Sequence, residues 1–357
     1  MASGSVAHTM LSISAADIYI YHAPSKQPEI ILQALSGFLP KWQLYPLQIL
    51  SKTVFRISAV PSPSSTPDSL RATRLSLNNL ETEHELQIAI LPSSLRSPEG
   101  TPKLAVFDLD STLIAAEVID ELARSIGVMP AVAAITERAM NGEIDFAESL
   151  RLRVSLLKGV EVPKVWDDLK SRIQFMPGAA ELCRALRRLG IRIAVFSGGF
   201  VPMATWVAQE LGIERLAANQ LISSPATAEI GYEHLTGELD PDAVVVTAEK
   251  KREFLKAFAA EYDVPLSRVL CVGDGANDLL MLGGVWQAGG LAVAFRAKDK
   301  VQREAGNRYN GTSLKSLLFL FGKTEDEITS LTTDDVQGAE KVTPRLMPGL
   351  RLETKMA

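Results

Sequence analysis

Two carboxylates, Asp108 and Asp110, follow directly on the apolar run Leu104–Phe107 and precede Ser111 and Thr112. A short, uninterrupted, partly β-branched run suits a strand buried on both faces of a parallel sheet. In open α/β sheets, ligands bind at the carboxyl ends of the strands. Two carboxylates there repel each other and are costly to desolvate, so a positive group, most simply a metal ion, is expected between them. The plainer alternative is that the pair caps the next helix.

Three later segments have the same character. Phe196-Ser197-Gly198-Gly199-Phe200 closes the apolar run Ile191–Phe196; its glycines let backbone N–H groups approach an anion, and Ser197 can donate a hydrogen bond. Lys250 and Lys251 open a helical pattern that runs to Phe258. Gly273-Asp274-Gly275-Ala276-Asn277-Asp278 follows Val269–Val272 and adds two carboxylates and an amide. Taken singly these read equally well as a turn, a solvated helix face and a tight turn with a helix cap. Together they make a kit for phosphoryl transfer, which needs charge neutralised on the equatorial oxygens and an in-line nucleophile. The oxygen donors suit magnesium. The two cysteines (Cys183, Cys271) and four scattered histidines lack the spacing of a zinc site or a disulfide framework. No Walker-type Gly-rich loop followed by Gly-Lys-Ser/Thr is present, so nucleotide hydrolysis by that route is disfavoured.

The elements that must position these groups fall into two units. Residues 16–97 read as strand (Asp17–His22), helix (Pro28–Leu39), strands (Trp42–Leu50, Thr53–Val60), helix (Pro67–Leu80) and strand (His84–Leu91). This β-α-β-β-α-β order is the split, ferredoxin-like pattern, and the Ser/Pro/Gly-bearing stretch from Ser93 to Pro102 reads as a linker. Residues 98–322 alternate apolar strands with helices, an α/β, Rossmann-like parallel sheet. Between its first two strands, about residues 117–175 show helical periodicity over Val118–Ser125, Ala131–Met140, Phe146–Leu157 and Pro163–Ile173. Such an insertion is expected to form a cap over the strand ends. Leu291–Phe295 reads as a further strand and Thr312–Phe321 as a last helix. Residues 1–15 are expected to be flexible and the acidic stretch 323–357 mostly disordered, with Leu346–Leu352 able to dock locally.

At 357 residues and 46% hydrophobic, the chain can bury a core in each unit. A formal charge of −5 argues against nucleic acid as a partner. No apolar stretch reaches the length of a membrane span, and the first residues lack the basic and apolar pattern of a leader, so no membrane partner and a cytoplasmic location are expected.

The motifs Asp-Leu-Asp-Ser-Thr, Ser-Gly-Gly-Phe, the lysine and Gly-Asp-Gly-Ala-Asn-Asp resemble, in order, those of the haloacid dehalogenase superfamily. The likeness covers about residues 103–321. Through Glu117-Val-Ile-Asp-Glu, Ala139-Met-Asn-Gly and Phe146–Leu157 it narrows to the phosphoserine phosphatase family. The N-terminal unit resembles the ACT-type regulatory domain in pattern only. The resemblance implies magnesium-dependent hydrolysis of O-phospho-L-serine to L-serine and phosphate, the last step of serine biosynthesis. Asp108 would be the nucleophile that forms an aspartyl-phosphate, and Asp110 the general acid and then base. Asp108, the backbone carbonyl of Asp110 and Asp274 would hold the metal, supported by Asp278. Ser197, the Gly198 amide and Lys251 would bind the phosphoryl group, with Asn277 nearby. Lys250 is the rival for the lysine role, and the family's spacing to Asp274 favours Lys251. Glu117 would meet the substrate ammonium and Arg153 its carboxylate, with Met140 and Phe146 lining the pocket. The plainer reading of Glu117 and Arg153 is as surface charges on helices. The likeness also raises L-serine as an effector of the N-terminal unit, and a homodimer. Two other functions stay open: hydrolysis or transfer of phosphate from another small monoester, and a non-enzymatic amino-acid-sensing module.

Overall fold

The computed structural model of the protein describes residues 11–23, 27–227, 230–333 and 342–348. The N-terminal unit contains β1 (Ala16–Tyr21), α1 (Pro28–Phe38), β2 (Trp42–Ser51), β3 (Val54–Pro61), α2 (Pro67–Ser76), α3 (Asn78–His84) and β4 (Gln87–Pro92). Its strands pair antiparallel in the order β2-β3-β1-β4, so the ferredoxin-like pattern is borne out. The second helix differs from expectation. It starts at Pro67 behind a reciprocal Thr66–Ser69 capping box, breaks at Leu77 and resumes as α3. Glu85, at φ +53°, then ends α3 with its N–H on Glu81 O, so the strand begins at Gln87 rather than His84.

The second unit opens with β5 (Leu104–Phe107) and passes through α4 (Val118–Ser125), α5 (Met129–Met140), α6 (Phe146–Ser155) and α7 (Val162–Arg172). It continues as α8 (Ala179–Arg188), β6 (Arg192–Phe200), α9 (Val201–Leu211), β7 (Arg215–Asn219), β8 (Leu221–Ser224), β9 (His234–Leu239), α10 (Ala248–Glu261) and β10 (Val269–Gly273). It closes with α11 (Leu279–Gln287), β11 (Leu291–Phe295), α12 (Asp299–Glu304), β12 (Asn307–Tyr309), α13 (Glu325–Thr332) and β13 (Arg345–Leu346). The order β12-β11-β10-β5-β6-β7-β13 is parallel throughout. From β5 the chain moves to one side through β6 and returns on the other as β10. That makes the carboxyl end of β5 the switch point where such sheets open a crevice. Every residue of β5, β10 and β11 is buried, as the continuous apolar runs require.

The inserted helices α4–α7 enter and leave through a narrow neck. Ala115 N–H donates to Gln174 O at 2.9 Å, and Met176 N–H to Leu113 O at 2.8 Å. The β8–β9 hairpin is not legible in the sequence because its strands are short and only Leu235 is fully buried. It is tied to the insertion by Gly159 N–H on Leu235 O, Leu235 N–H on Val160 O and Val162 N–H on Glu233 O.

Two expectations near the C-terminus are corrected. The expected α-helix over Thr312–Phe321 is a 3₁₀ segment, Leu314–Phe321, whose apolar side chains are buried on several sides rather than along one stripe. The stretch after 322 is not wholly without structure. Thr324 and Glu327 form a capping box that starts α13, Ile328 is buried, and Arg184 and Arg188 of α8 donate to the carbonyls of Thr332, Ser330 and Leu331. Its acidic residues are the exposed face of a helix, which composition alone reads as disorder. Arg345 and Leu346 add a parallel edge strand to β7. In the N-terminal segment Ile13 is buried and bridges Ser65. Residues 1–10, 334–341 and 349–357 lie outside the described residues, as does most of the expected docking segment Leu346–Leu352.

The two units dock over the β12 edge, where a sheet would otherwise expose unpaired backbone. Wholly buried Arg74 donates from Nε to Gly306 O at 3.1 Å and from Nη2 to Gln302 O at 2.9 Å. Ile90 N–H donates to Asn307 Oδ1 at 2.9 Å, Trp286 Nε1 to Pro67 O at 3.0 Å, and Tyr21 Oη to Ser316 O at 3.1 Å. Among the described residues, no helix is long and apolar enough to cross a membrane.

Candidate active site

Because β10, β5 and β6 are neighbours, the loops that follow them meet at one point of the crevice. After Phe107, the loop turns on Leu109, whose carbonyl accepts from the N–H groups of Thr112, Leu113 and Ile114, while Leu109, Leu113 and Ile114 are fully buried. Ser111 takes the left-handed φ of +57° that the reversal needs. The turn leaves Asp108 buried and Asp110 facing the end of β6 at Gly199.

Asp108, Asp274 and Asp278 form the cluster. Each has a carboxylate oxygen within 4.8 Å of the others'. Lys251 Nζ, wholly buried, donates to Asp108 Oδ1 at 2.6 Å and to Asp278 Oδ1 at 2.8 Å. Asp278 Oδ2 accepts from the N–H groups of Asp274 (3.1 Å) and Gly275 (3.0 Å), and Thr112 Oγ1 donates to Asp274 Oδ1 at 3.1 Å. Lys251 comes inward because Thr247 caps α10 and the buried face then falls on Lys251, Phe254, Leu255 and Phe258. Lys250, its neighbour in the chain, points outward to Glu253 at 2.6 Å.

The electrostatics follow from this burial. Desolvation, then repulsion from Asp278, raises the Asp108 pKa well above its usual value against the pull of Lys251. Burial and Asp278 push Asp274 up to about 7. Burial and the Glu117 carboxylate push Asp110 up to about 8. For Lys251 burial favours the neutral amine, but Asp108 and Asp278 outweigh it and hold the ammonium more firmly than usual. Three carboxylates facing one ammonium leave two negative charges uncompensated when all are ionised, which is the charge of a divalent cation. The donors fit such an ion. Asp108 Oδ2, Asp274 Oδ2 and the Asp110 carbonyl accept no hydrogen bond among the described residues, and hard oxygen donors suit magnesium or calcium rather than softer metals.

Asp110 divides its carboxylate. Oδ1 accepts from Val118 N–H at the start of α4 at 3.1 Å, so the helix-capping alternative holds for that oxygen. Oδ2 faces Gly199, where an added Cβ would lie 2.9 Å from it and 3.0 Å from Ser197 Oγ. Ser197 is fully buried, and its Oγ accepts from Gly199 N–H at 2.8 Å. Around Gly198, an added Cβ would meet Phe146 Cζ at 3.3 Å and Asn277 Nδ2 at 3.7 Å, so cap and core both reach this glycine.

Of the expected cap residues, Glu117 accepts from Ser111 Oγ at 2.7 Å. Arg153 is half-buried, with Nε on Ser149 O at 3.3 Å. Burial lowers its pKa, while Asp120, Glu117 and Asp110 oppose the shift, so all three carboxylates lie within electrostatic reach of its guanidinium. Met140 is 75% exposed at the end of α5, whose only fully buried residue is Val132, and it makes none of these contacts. Two further residues reach the site without a role expected for them: Asp120, inside the motif that begins at Glu117, and Asn219, which no sequence motif singles out and which ends β7.

A family model for haloacid dehalogenase-like hydrolases matches residues 105–283. The chain is 43% identical over 225 residues, 63% of its own length and 72% of the relative's, to a probable phosphoserine phosphatase from Schizosaccharomyces pombe. Its structure is similar to that of a haloacid-dehalogenase-family hydrolase from Salmonella enterica serovar Typhi, with TM-score 0.70 and 26% identity, covering 88% of this chain and 99% of that one. It is also similar to a phospho-aspartyl intermediate analogue of phosphoserine phosphatase, with TM-score 0.53 and 37% identity, covering 61% of this chain and 98% of that one. A buried carboxylate cluster bridged by one lysine, in this fold and with these relatives, makes the chain a member of the haloacid dehalogenase-like hydrolase family.

Proposed function

We propose that the protein is a magnesium-dependent phosphoserine phosphatase that releases L-serine and phosphate from O-phospho-L-serine, the last step of serine biosynthesis. The observation that carries this reading is the Asp108–Lys251–Asp278 chain, with Asp274 beside it and the Ser197–Gly199 loop across the crevice. Asp108 attacks phosphorus through Oδ2, the oxygen not bonded to Lys251, and forms an aspartyl-phosphate. Asp110, protonated at neutral pH because of its raised pKa, gives its proton to the departing serine oxygen. It then takes one from the water that cleaves the acyl-phosphate. Lys251, Ser197 and the Gly198 amide hold the phosphoryl oxygens, with Asn277 beside them. Asp108, the Asp110 carbonyl and Asp274 would hold magnesium, with Asp278 anchoring the loop. The ion would neutralise charge developing on the phosphoryl oxygens. Glu117 and Arg153 supply opposite charges for the two ends of an amino acid, and Phe146 closes over Gly198.

The test is phosphate release from O-phospho-L-serine with and without magnesium, beside a panel of small phosphate esters. Strong, metal-dependent preference for phosphoserine is expected. Equal turnover of the panel would keep the phosphatase chemistry and remove the assignment of the cap. More locally, R153A should lower kcat/KM for O-phospho-L-serine on the order of a hundredfold more than for p-nitrophenyl phosphate, as for a lost charge-assisted pair. Equal losses on both substrates would move Arg153 out of the specificity role.

Metal binding should also show in stability. Asp274 and Asp110 have pKa values raised from 3.8 to about 7 and about 8, so between these limits the unfolded chain binds fewer protons than the folded one. Stability of the metal-free protein therefore falls as pH rises through that window. Magnesium would bind the ionised carboxylates of Asp108 and Asp274 and so offset the part of this loss that comes from Asp274, so its effect on Tm should be larger at about pH 8 than at about pH 6. A Tm increment that is the same at both pH values, or larger at the lower one, contradicts the assignment.

A further inference from the structure

We infer that Asn219 is a positioning residue for phosphoryl binding, one that sets the Gly198–Gly199 peptide and keeps it in register with the helix carrying Lys251. The inference rests on the phosphatase reading above. In the parallel pair β6–β7, Phe196 lies opposite Ala217 and the next match is Phe200 opposite Asn219. The strand β6 therefore leaves the ladder over Ser197–Gly199, where the phosphate-binding groups stand. A bulge of this kind re-aims backbone groups and leaves ladder partners missing. Asn219 supplies one of them. Its side chain is 1% exposed, and its Nδ2 donates to Gly198 O at 2.8 Å.

The other end of the same peptide is also held, because Gly199 N–H donates to Ser197 Oγ at 2.8 Å. A peptide unit is planar, so fixing both its C=O and its N–H fixes the orientation of the plane. Ser197 Oγ, having accepted that bond, keeps its own proton to donate to a phosphoryl oxygen. The loop has little room to drift: Asp110 and Ser197 crowd Gly199, and Phe146 crowds Gly198.

The remaining atom of the amide reaches the other half of the site. Asn219 Oδ1 accepts from Val246 N–H at 2.9 Å, and Val246 immediately precedes Thr247, whose hydroxyl caps α10. Lys251 lies one turn further along that helix. A single buried amide thus spans the phosphate loop and the lysine helix, using its donor on one and its acceptor on the other. Asn is suited to this because the task needs both functions on one short side chain. A carboxylate would place an acceptor against the Gly198 carbonyl, and an aliphatic residue would leave both backbone groups unpaired.

N219D isolates the donor, since it keeps the acceptor for Val246. We would measure kcat and KM on O-phospho-L-serine and p-nitrophenyl phosphate, the inhibition constant of inorganic phosphate, magnesium half-saturation and Tm. A rise in the phosphate inhibition constant of roughly tenfold or more is expected. The fall in kcat/KM should be similar for both esters, which share only the phosphoryl group, with magnesium half-saturation unchanged. A lowered Tm with the phosphate constant within about twofold of wild type would reduce Asn219 to a structural residue and overturn the inference. Should N219D not fold, amide hydrogen exchange of the unaltered enzyme with and without inorganic phosphate decides. Added protection over both 197–200 and 246–251 supports the linkage, and protection confined to 197–200 refutes it. A wild-type protein that neither hydrolyses phosphate esters nor binds phosphate would instead sink the underlying phosphatase reading.

Discussion

D108N should abolish phosphate release from O-phospho-L-serine, by on the order of a thousandfold or more, because the amide cannot form the acyl-phosphate. It should do so without loss of the fold. The burial and like charge that raise the Asp108 pKa mean that the ionised carboxylate is held there at a cost, and a neutral amide of the same shape removes that cost. The amide oxygen can still accept from Lys251, which keeps its second bond to Asp278 in any case. Tm in the absence of metal should therefore be equal to or above that of wild type. The pairing of lost turnover with kept stability is the informative result. An inactive variant with a lower Tm would leave misfolding as the cause, whereas residual turnover near wild type would remove Asp108 as the nucleophile.

The largest stability effect is expected from Lys251. K251A would leave Asp108 and Asp278 buried side by side with no cation between them, and removing one partner of a buried, hydrogen-bonded ion pair costs ~3–5 kcal/mol. Activity should fall with it, since the same ammonium faces the nucleophile at 2.6 Å. K250A provides the contrast. That lysine pairs with Glu253 on the surface, where both side chains are more than a third exposed, and such helix pairs contribute at most ~0.5 kcal/mol. Urea unfolding of the two variants, with assays on the same preparations, separates the positions. Comparable stability losses for both, or lost turnover in K250A alone, would overturn the placement of Lys251.

Much of this protein is legible in its residue order. The uninterrupted apolar runs ahead of Asp108, Ser197 and Asp274 read as doubly buried strands, since a sheet covered on both faces has no solvent side to alternate toward. Their carboxyl-end chemistry follows from that reading. The helical insertion is legible from its period and its glycine stops, and the first unit from its strand and helix order. Local signals fail where long-range contact sets the outcome. The β8–β9 hairpin exists because the insertion pairs with it, and α13 because α8 receives its last carbonyls and covers Ile328. The 3₁₀ segment Leu314–Phe321 is buried on too many sides for periodicity to show its type.

The sequence by itself determined which side chains could do chemistry and that their donors are oxygen, because residue type and spacing are local properties. Only the tertiary structure decided which of two adjacent lysines turns inward. That depends on where Thr247 starts α10 and on which face of the helix the sheet covers. It also decided that Asp278 is spent on Lys251 and two backbone amides, that Met140 stands in solvent, and that Asn219 bridges two loops distant in sequence. Each of these is a matter of which groups share the desolvated space at the ends of β10, β5 and β6, and that space exists only once the strands are packed side by side.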